Sequence, residues 1–139
     1  MLKEILSITG KPGLFKLVSQ GKNMFIVESL LDGKRIPAYT KDKIVSLGDI
    51  AIFTETAEIP LGQVFEKLKE KENGAVSSID PKSDNDKLRK YMTEILPDYD
   101  RDRVYPSDIR KLILWYNMLI NAQITDFLVE EKEEIATVE

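Results

Sequence analysis

The sequence contains neither cysteine nor histidine among its 139 residues. Without these side chains there is no thiolate nucleophile, no serine–histidine–aspartate relay, no redox-active pair and no zinc site of the usual cysteine or histidine kind. The same absence excludes a disulfide scaffold. The composition therefore removes most of the familiar catalytic and metal-binding classes.

Long apolar runs are absent as well. No stretch approaches the roughly 18 to 20 apolar residues that a membrane span requires. Lys3 and Glu4 interrupt the first residues, and this leaves too short an apolar run for a secretory signal. We therefore expect a cytoplasmic protein that does not contact the membrane.

The formal net charge is −4, which gives no bulk attraction to phosphate backbones. The charge is unevenly distributed along the chain. Residues 1–54 contain eight Lys or Arg against five acids, whereas residues 55–139 contain twelve against nineteen. The N-terminal part is thus mildly basic and the remainder is acidic.

Residues 13–54 contain short β-rich runs separated by turn signals. The runs are "GLFKLVSQ" (13–20), "MFIVESLL" (24–31), residues 36–39 and "IVSLGDIAIF" (44–53). Asp32-Gly33, between apolar flanks, predicts a two-residue turn because both positions accept a positive φ. About five short antiparallel strands predict a small SH3-like β-barrel.

From residue 60 onward the apolar residues follow a helical period. Leu61, Val64, Phe65 and Leu68 predict a helix that begins near Pro60. Further stripes predict a helix ending before Pro97 and a long helix over about 106–129. The fold class is therefore α+β, with the SH3-like antiparallel barrel followed by a helical C-terminal unit.

The segment 73–86 is polar and contains Gly and Pro, which is typical of a linker. This divides the chain into a small β-barrel with its connecting helix (1–72), a linker (73–86), a helical unit (87–130) and a charged tail (131–139).

The alternating acids Asp98, Asp100 and Asp102 imitate the opening of a calcium loop. The sixth position requires Gly and is Arg103, and the twelfth requires Glu and is Ile109. We therefore predict a loop of mutually paired charges, with no metal and no cofactor. Hydrolysis by a pair of carboxylates needs no histidine and stays open, although no spacing selects a pair.

The stretch "VYPSDIRKLILWYNMLI" (104–120) is more apolar than the outer face of a soluble helix. One face is apolar, and Leu114, Trp115 and Met118 extend the apolar surface beyond it. Such a helix is either central to its own fold or buried by a partner chain. Because Trp and Tyr are favoured interface anchors, we expect Trp115 to be largely buried and favour a protein contact, including a homodimer.

The mildly basic barrel offers a second possibility. Lys34 and Arg35 lie near the aromatic candidates Phe25 and Tyr39 in the sequence, and small barrels bind single-stranded nucleic acid through charge and stacking. An excess of three positive charges is slight, so nucleic-acid binding is the alternative and not the first reading.

The motifs "ITGKPGLFKLVS", "VESLLDGKRIPA", "SLGDIAIFT" and "YPSDIRKLILWYNML" resemble a family of conserved hypothetical bacterial proteins classed as a domain of unknown function. The resemblance covers nearly the whole chain. It implies a bacterial protein with an SH3-like N-terminal unit and a helical C-terminal unit. It implies no reaction and no catalytic residue.

Together these observations predict a non-enzymatic binding or adaptor module that acts by protein–protein interaction. Nucleic-acid binding by the barrel face and acid-pair hydrolysis are the alternatives. The candidate binding residues are Lys34, Arg35, Tyr39, Tyr105, Arg110, Trp115 and Asn117.

Overall fold

A computed structural model describes residues 4–11, 13–39, 42–125 and 127 of the chain. Its strands are β1 (Ile5–Ile8), β2 (Phe15–Gly21), β3 (Met24–Ser29), β4 (Arg35–Tyr39), β5 (Ile44–Ser46), β6 (Ala51–Phe53) and β7 (Glu58–Pro60). Its α-helices are α1 (Leu61–Lys71), α2 (Asn85–Ile95) and α3 (Pro106–Asn121), and a short 3-10 helix spans Leu47–Asp49. The predicted α+β class is confirmed.

The main sheet has five antiparallel strands in the order β4-β3-β2-β1-β5. Asn23, with φ 63°, supplies the left-handed residue in the turn between β2 and β3. The turn predicted at Asp32-Gly33 is longer than two residues. The N–H of Ser29 donates to the carbonyl of Lys34 at 2.9 Å and closes a loop over residues 30–33.

The predicted SH3-like barrel is not confirmed. β4 and β5 are the two outer strands of the sheet, and no strand pairing joins them among the described residues. After β5 the chain leaves the sheet through the 3-10 helix, because Leu47 is fully buried in the helical core. β6, predicted as part of the barrel, therefore pairs with β7 in a separate two-stranded sheet.

Two apolar clusters form the interior. The smaller one lies on the five-stranded sheet, and it contains Leu6, Ile8, Phe15, Val27 and Ala38. The larger one is enclosed by the three helices. At its centre the ring of Phe65 lies 5.4 Å from that of Phe127 and 6.3 Å from that of Tyr116. Tilted aromatic pairs at such distances add to the stability that burial provides.

Helix α3 is shorter than the sequence pattern predicted. It ends at Asn121, where Gln123 adopts φ 62° and the N–H of Ile124 donates to the carbonyl of Leu119. This left-handed ending turns the chain back, so that Phe127 is buried in the core. Of the residues that the pattern placed in this helix, 126, 128 and 129 lie outside the described residues, as does the charged tail (131–139).

The predicted linker is tied to helix α3 by hydrogen bonds. The hydroxyl of Tyr116 donates to the carbonyl of Ala75 at 2.7 Å, and Nε of Arg110 donates to the carbonyl of Pro81 at 2.9 Å. The last two residues of the predicted linker belong to α2, which Asp84 caps by accepting from the N–H of Lys87. The predicted domain bounds themselves stay a prediction.

Among the helices described here, none combines the length and the apolar character that crossing a bilayer requires.

Candidate binding groove

A groove of about 250 Å³ runs beside helix α3, between that helix and the edge of β6. We call it the α3 groove. It is lined by residues 50–53 of the β6 segment, Leu61, Arg103 and Val104 of the loop before α3, and Asp108, Lys111, Leu112 and Trp115 of α3. The groove is therefore largely apolar, with charged side chains among its lining residues.

The helix wall of the groove follows from the helical repeat. Asp108, Lys111, Leu112 and Trp115 occupy positions i, i+3, i+4 and i+7, which lie on one face of a helix. Ile113 and Tyr116 lie on the neighbouring face and are buried in the core. Trp115 is consequently half-buried, since part of it packs on the core while it also lines the groove.

The strand wall of the groove is one edge of β6. The N–H of Leu61 donates to the carbonyl of Ile50, and the N–H of Thr54 donates to the carbonyl of Ala57. Because antiparallel pairing alternates along a strand, the N–H and C=O of Ala51 point away from β7. The partner opposite Ala51 is Pro60, which has no N–H to offer. The free edge of β6 therefore faces the groove at Ala51.

The loop between α2 and α3 covers only the far end of this edge. The N–H of Asp100 donates to the carbonyl of Phe53 at 2.9 Å, and Thr54 forms a bridge with Tyr99. The carbonyl of Asp100 then accepts from the N–H of Val104, which turns the loop away from β6. The groove opens where the loop leaves the strand.

Two cations lie beside the apolar lining. The guanidinium carbon of Arg103 lies 4.3 Å from the ring centre of Phe53, and Nε of Arg103 donates to Oδ2 of Asp100 at 2.8 Å. This hydrogen bond, with that from the N–H of Asp102, lowers the pKa of Asp100 below its ordinary value. Lys111 has no hydrogen bond or ion pair within the part of the chain that the structure describes.

The carboxylate that lines the groove is already engaged. Oδ2 of Asp108 accepts from the N–H of Tyr105 at 3.0 Å, which satisfies a free donor at the start of α3. This hydrogen bond leaves the carboxylate charged, so the lining holds two cations, Arg103 and Lys111, against one acid, Asp108, and sums to one formal positive charge.

In the loop whose acids imitate the opening of a calcium site, Asp100 is engaged by its neighbours in the loop. Asp100 pairs with Arg103, and its other oxygen accepts from the N–H of Asp102 at 3.0 Å. In the described ranges, no group of three or more acids is placed to hold a metal ion. The lining of the α3 groove includes one carboxylate, whereas acid-pair hydrolysis requires two.

The predicted binding residues of α3 lie at different places. Trp115 lines the α3 groove, and Tyr105 is 59% exposed at the start of the helix. Arg110 and Asn117 are bonded to the connection over 73–84 instead. Oδ1 of Asn117 accepts from the N–H of Ser77 at 2.8 Å, and Arg110 holds the carbonyl of Pro81.

The predicted binding residues of the sheet carry mixed charge. Nε of Arg35 lies 3.3 Å from Oε1 of Glu28, and Tyr39 is exposed on the outer strand β4. Lys34 lines a shallow depression that also contains Asp32. Positive and negative side chains alternate here, so these residues do not form an uninterrupted basic patch.

Sequence reasoning missed most of the groove. Lys111 could have been found, because it stands four residues before Trp115 and therefore shares its helix face. Ala51 and Phe53 carry no such signal, since their role depends on where the loop containing Arg103 leaves β6. Arg103 was noted as a departure from the calcium pattern and as a charge that pairs with the neighbouring acids, and not as a binding residue.

A partly buried polar cluster of Glu72, Ser78 and Tyr91 holds the connection against the helices. Oε2 of Glu72 accepts from the hydroxyl of Tyr91 at 2.5 Å, and from the N–H and Oγ of Ser78 at 2.7 and 2.9 Å. Burial alone would raise the pKa of Glu72, but these hydrogen bonds and nearby Lys71 outweigh it and lower that pKa. Burial and Glu72 both raise the pKa of Tyr91.

The fold and the groove define an α+β protein in which a five-stranded antiparallel sheet precedes three helices. Comparison with known families gives two adjoining matches. A family described as Domain of unknown function (DUF5606) matches residues 2–47, and one described as Domain of unknown function (DUF6852) matches residues 50–119, half of the chain. The chain therefore belongs to the DUF6852 family, a family of unknown function of the kind that its motifs predicted.

A solved structure has the same fold. It is a solution NMR structure of a protein from Bacteroides vulgatus, determined as a structural genomics target, with 59% sequence identity and a TM-score of 0.76. The match covers 91% of each chain. No curated protein matches the sequence.

Proposed function

We propose that the chain is a non-enzymatic, cytoplasmic binding module that contacts a protein partner through the α3 groove. The observation that carries this proposal is the half-buried Trp115 in an apolar groove, on the same helix face as Lys111, which has no partner among the described residues. Tryptophan, tyrosine and arginine are enriched among the residues that contribute most of the binding energy at protein interfaces. Arg103, stacked on Phe53, adds a second anchor of this type.

The alternatives receive less support. Nucleic-acid binding by the sheet calls for a continuous basic patch, and Arg35 is paired with Glu28 while Lys34 adjoins Asp32. An acid-pair hydrolase calls for a pocket with two converging acids, and the α3 groove has Asp108 alone. A second copy of this chain is one form of protein partner that the proposal includes.

The proposal is tested by photo-crosslinking in bacterial cells that express the chain. A benzophenone amino acid replaces Lys111 in one variant and Lys90, an exposed residue of α2 outside the groove, in the matched control. We expect a defined protein adduct from position 111 and none from position 90. The adduct at position 111 should disappear when Trp115→Ala is added.

The mass of the adduct identifies the partner type. An adduct of twice the chain mass indicates a homodimer, and any other mass indicates a different protein. Equal adducts from both positions, or an adduct at position 111 that persists in Trp115→Ala, would contradict binding through the groove.

A further inference from the structure

We infer that the α3 groove receives an extended, acidic peptide segment of the partner, which adds as a strand to the free edge of β6. This inference rests on the proposed function and specifies the chemistry of the partner. It combines main-chain pairing, apolar burial and charge, each of which depends on a different group of residues.

Ala51 offers a free backbone donor and acceptor. It lines the groove, its N–H and C=O point away from β7, and neither has a hydrogen-bond partner in the ranges that the structure describes. An added strand supplies the complementary donor and acceptor, as in other cases of recognition by strand addition. The loop before α3 already pairs with the same edge of β6, since the N–H of Asp100 donates to the carbonyl of Phe53. The peptide continues the pairing where the loop turns away.

The apolar lining of the groove suits alternate side chains of an extended peptide. Successive side chains of an extended peptide point to opposite faces, so every second side chain enters the groove. There it meets Leu112, Trp115 and Val104, which present an apolar surface. An aliphatic side chain of moderate size suits a groove of about 250 Å³. The peptide therefore alternates apolar side chains with others that remain at the rim.

The cations of the groove favour acids at the rim positions. Lys111 has no hydrogen bond or ion pair among the described residues, and Arg103 keeps its terminal nitrogens beyond the bond that Nε makes to Asp100. Asp108 is the one carboxylate of the lining and accepts from the N–H of Tyr105. A guanidinium stacked on an aromatic ring still binds carboxylates through its remaining N–H donors. The charged lining residues therefore sum to one positive charge, which is complementary to an acidic segment although the chain as a whole carries −4.

The test uses a display library of random nine-residue peptides selected on the purified full chain. We expect enriched peptides in which Asp or Glu alternates with Val, Ile or Leu. Trp115 is the single tryptophan, so its fluorescence reports occupation of the groove directly. Titration with the enriched peptide should change this fluorescence saturably.

Two matched comparisons separate the components of binding. Lys111→Glu should weaken binding by at least about tenfold, whereas Lys90→Glu on α2 should leave it unchanged. The second comparison uses peptides in which alternate backbone nitrogens are methylated. Methylation on the edge that pairs with β6 removes strand pairing, whereas methylation on the opposite edge keeps it, and the side chains are the same in both. The version methylated on the pairing edge should bind at least about tenfold more weakly than the version methylated on the opposite edge.

The outcomes distinguish this inference from the proposed function. Enriched peptides that change Trp115 fluorescence but ignore Lys111→Glu and methylation would leave the groove as a protein-binding site and overturn the acidic strand. Peptides that bind without changing Trp115 fluorescence, or a library that yields no enriched peptide, would overturn the strand inference. In that event the crosslinking comparison at positions 111 and 90 still decides the proposed function separately.

Discussion

The hydroxyl of Tyr91 lies 2.5 Å from the carboxylate of Glu72 and ties helix α2 to the end of α1. We predict that this pair contributes to the loss of stability at both low and high pH. The folded pKa of Glu72 lies below its ordinary 4.5, so the stability that it contributes is complete above about pH 4.5 and declines as the pH falls further. The folded pKa of Tyr91 is raised, so its contribution is complete below pH 10 and is lost at higher pH.

We therefore expect the free energy of unfolding to be nearly constant from about pH 6 to 9, because the chain has no histidine or cysteine to titrate there. Tyr116, whose pKa burial raises to about 12, adds to the alkaline decline. Urea unfolding at a series of pH values measures this profile. Glu72→Gln should flatten the acid slope and Tyr91→Phe the alkaline slope. Identical slopes in wild type and variants would show that the pair does not control them.

The hydroxyl of Tyr99 gives a second prediction. This side chain is fully buried, and its hydroxyl has no hydrogen-bond partner in the described part of the chain. Tyr99→Phe should therefore be neutral or stabilise the protein by up to about 1 kcal/mol. Tyr116→Phe is the matched control, because it removes the bond to Ala75 and should cost about 1 kcal/mol. Chemical denaturation measures the free energy of unfolding of both variants. A destabilised Tyr99→Phe would refute the assignment of the Tyr99 hydroxyl as unsatisfied.

Gly13 lies just before β2, close to Leu31 and to Met118 of helix α3. It adopts φ +80°, and an added Cβ would lie 2.7 Å from Cδ1 of Leu31 and 3.6 Å from Cε of Met118. Gly13→Ala should cost about 1 to 3 kcal/mol, because backbone strain and side-chain overlap both contribute. Gly33→Ala is the control, since it has φ +74° and nothing within 4 Å.

The difference between the two alanine variants reports the overlap alone. It should disappear in a Leu31→Ala background, which removes the obstructing side chain. Thermal or urea unfolding of the four variants gives the comparison. Equal losses for Gly13→Ala and Gly33→Ala in the wild-type background would mean that the contact with Leu31 carries no cost.

The two faces of α3 can be compared with adjacent residues. Ile113 is fully buried in the helical core, and Ile113→Ala should cost about 2 to 5 kcal/mol. Leu114 is 41% exposed, and Leu114→Ala should change the free energy of unfolding by less than about 0.5 kcal/mol. Denaturant midpoints of both variants test the assignment. Similar losses would mean that the faces of the helix are assigned wrongly.

Local patterns predicted the elements well where one face is buried against one neighbour. The period of Leu61, Val64, Phe65 and Leu68 placed α1 correctly, because all four side chains enter the core. The α+β class followed from the change of period after residue 60. The strand β1 was missed, since four residues beside a turn give too short a pattern to recognise.

The features that failed depend on long-range packing. Barrel closure was wrongly expected because the β-rich pattern continues through residue 53, whereas burial of Leu47 under the helices diverts the chain out of the sheet. The apolar pattern continues past the end of α3 because Phe127 is apolar. Phe127 nevertheless reaches the core after a left-handed turn at Gln123 and not as part of the helix. Trp115 was expected to be largely buried and is half-buried, because β6 and the loop leave a groove beside it.

The most direct test of the central claim, that the α3 groove binds a protein partner, is ¹⁹F NMR of the chain labelled with 5-fluorotryptophan. The single tryptophan, Trp115, gives one resonance from the groove. We predict that this resonance in bacterial cells differs in chemical shift from that of the purified protein, and that Lys111→Glu restores the purified position while Lys90→Glu does not. A resonance at the same position in cells and in the purified protein, unaffected by either substitution, would contradict the account.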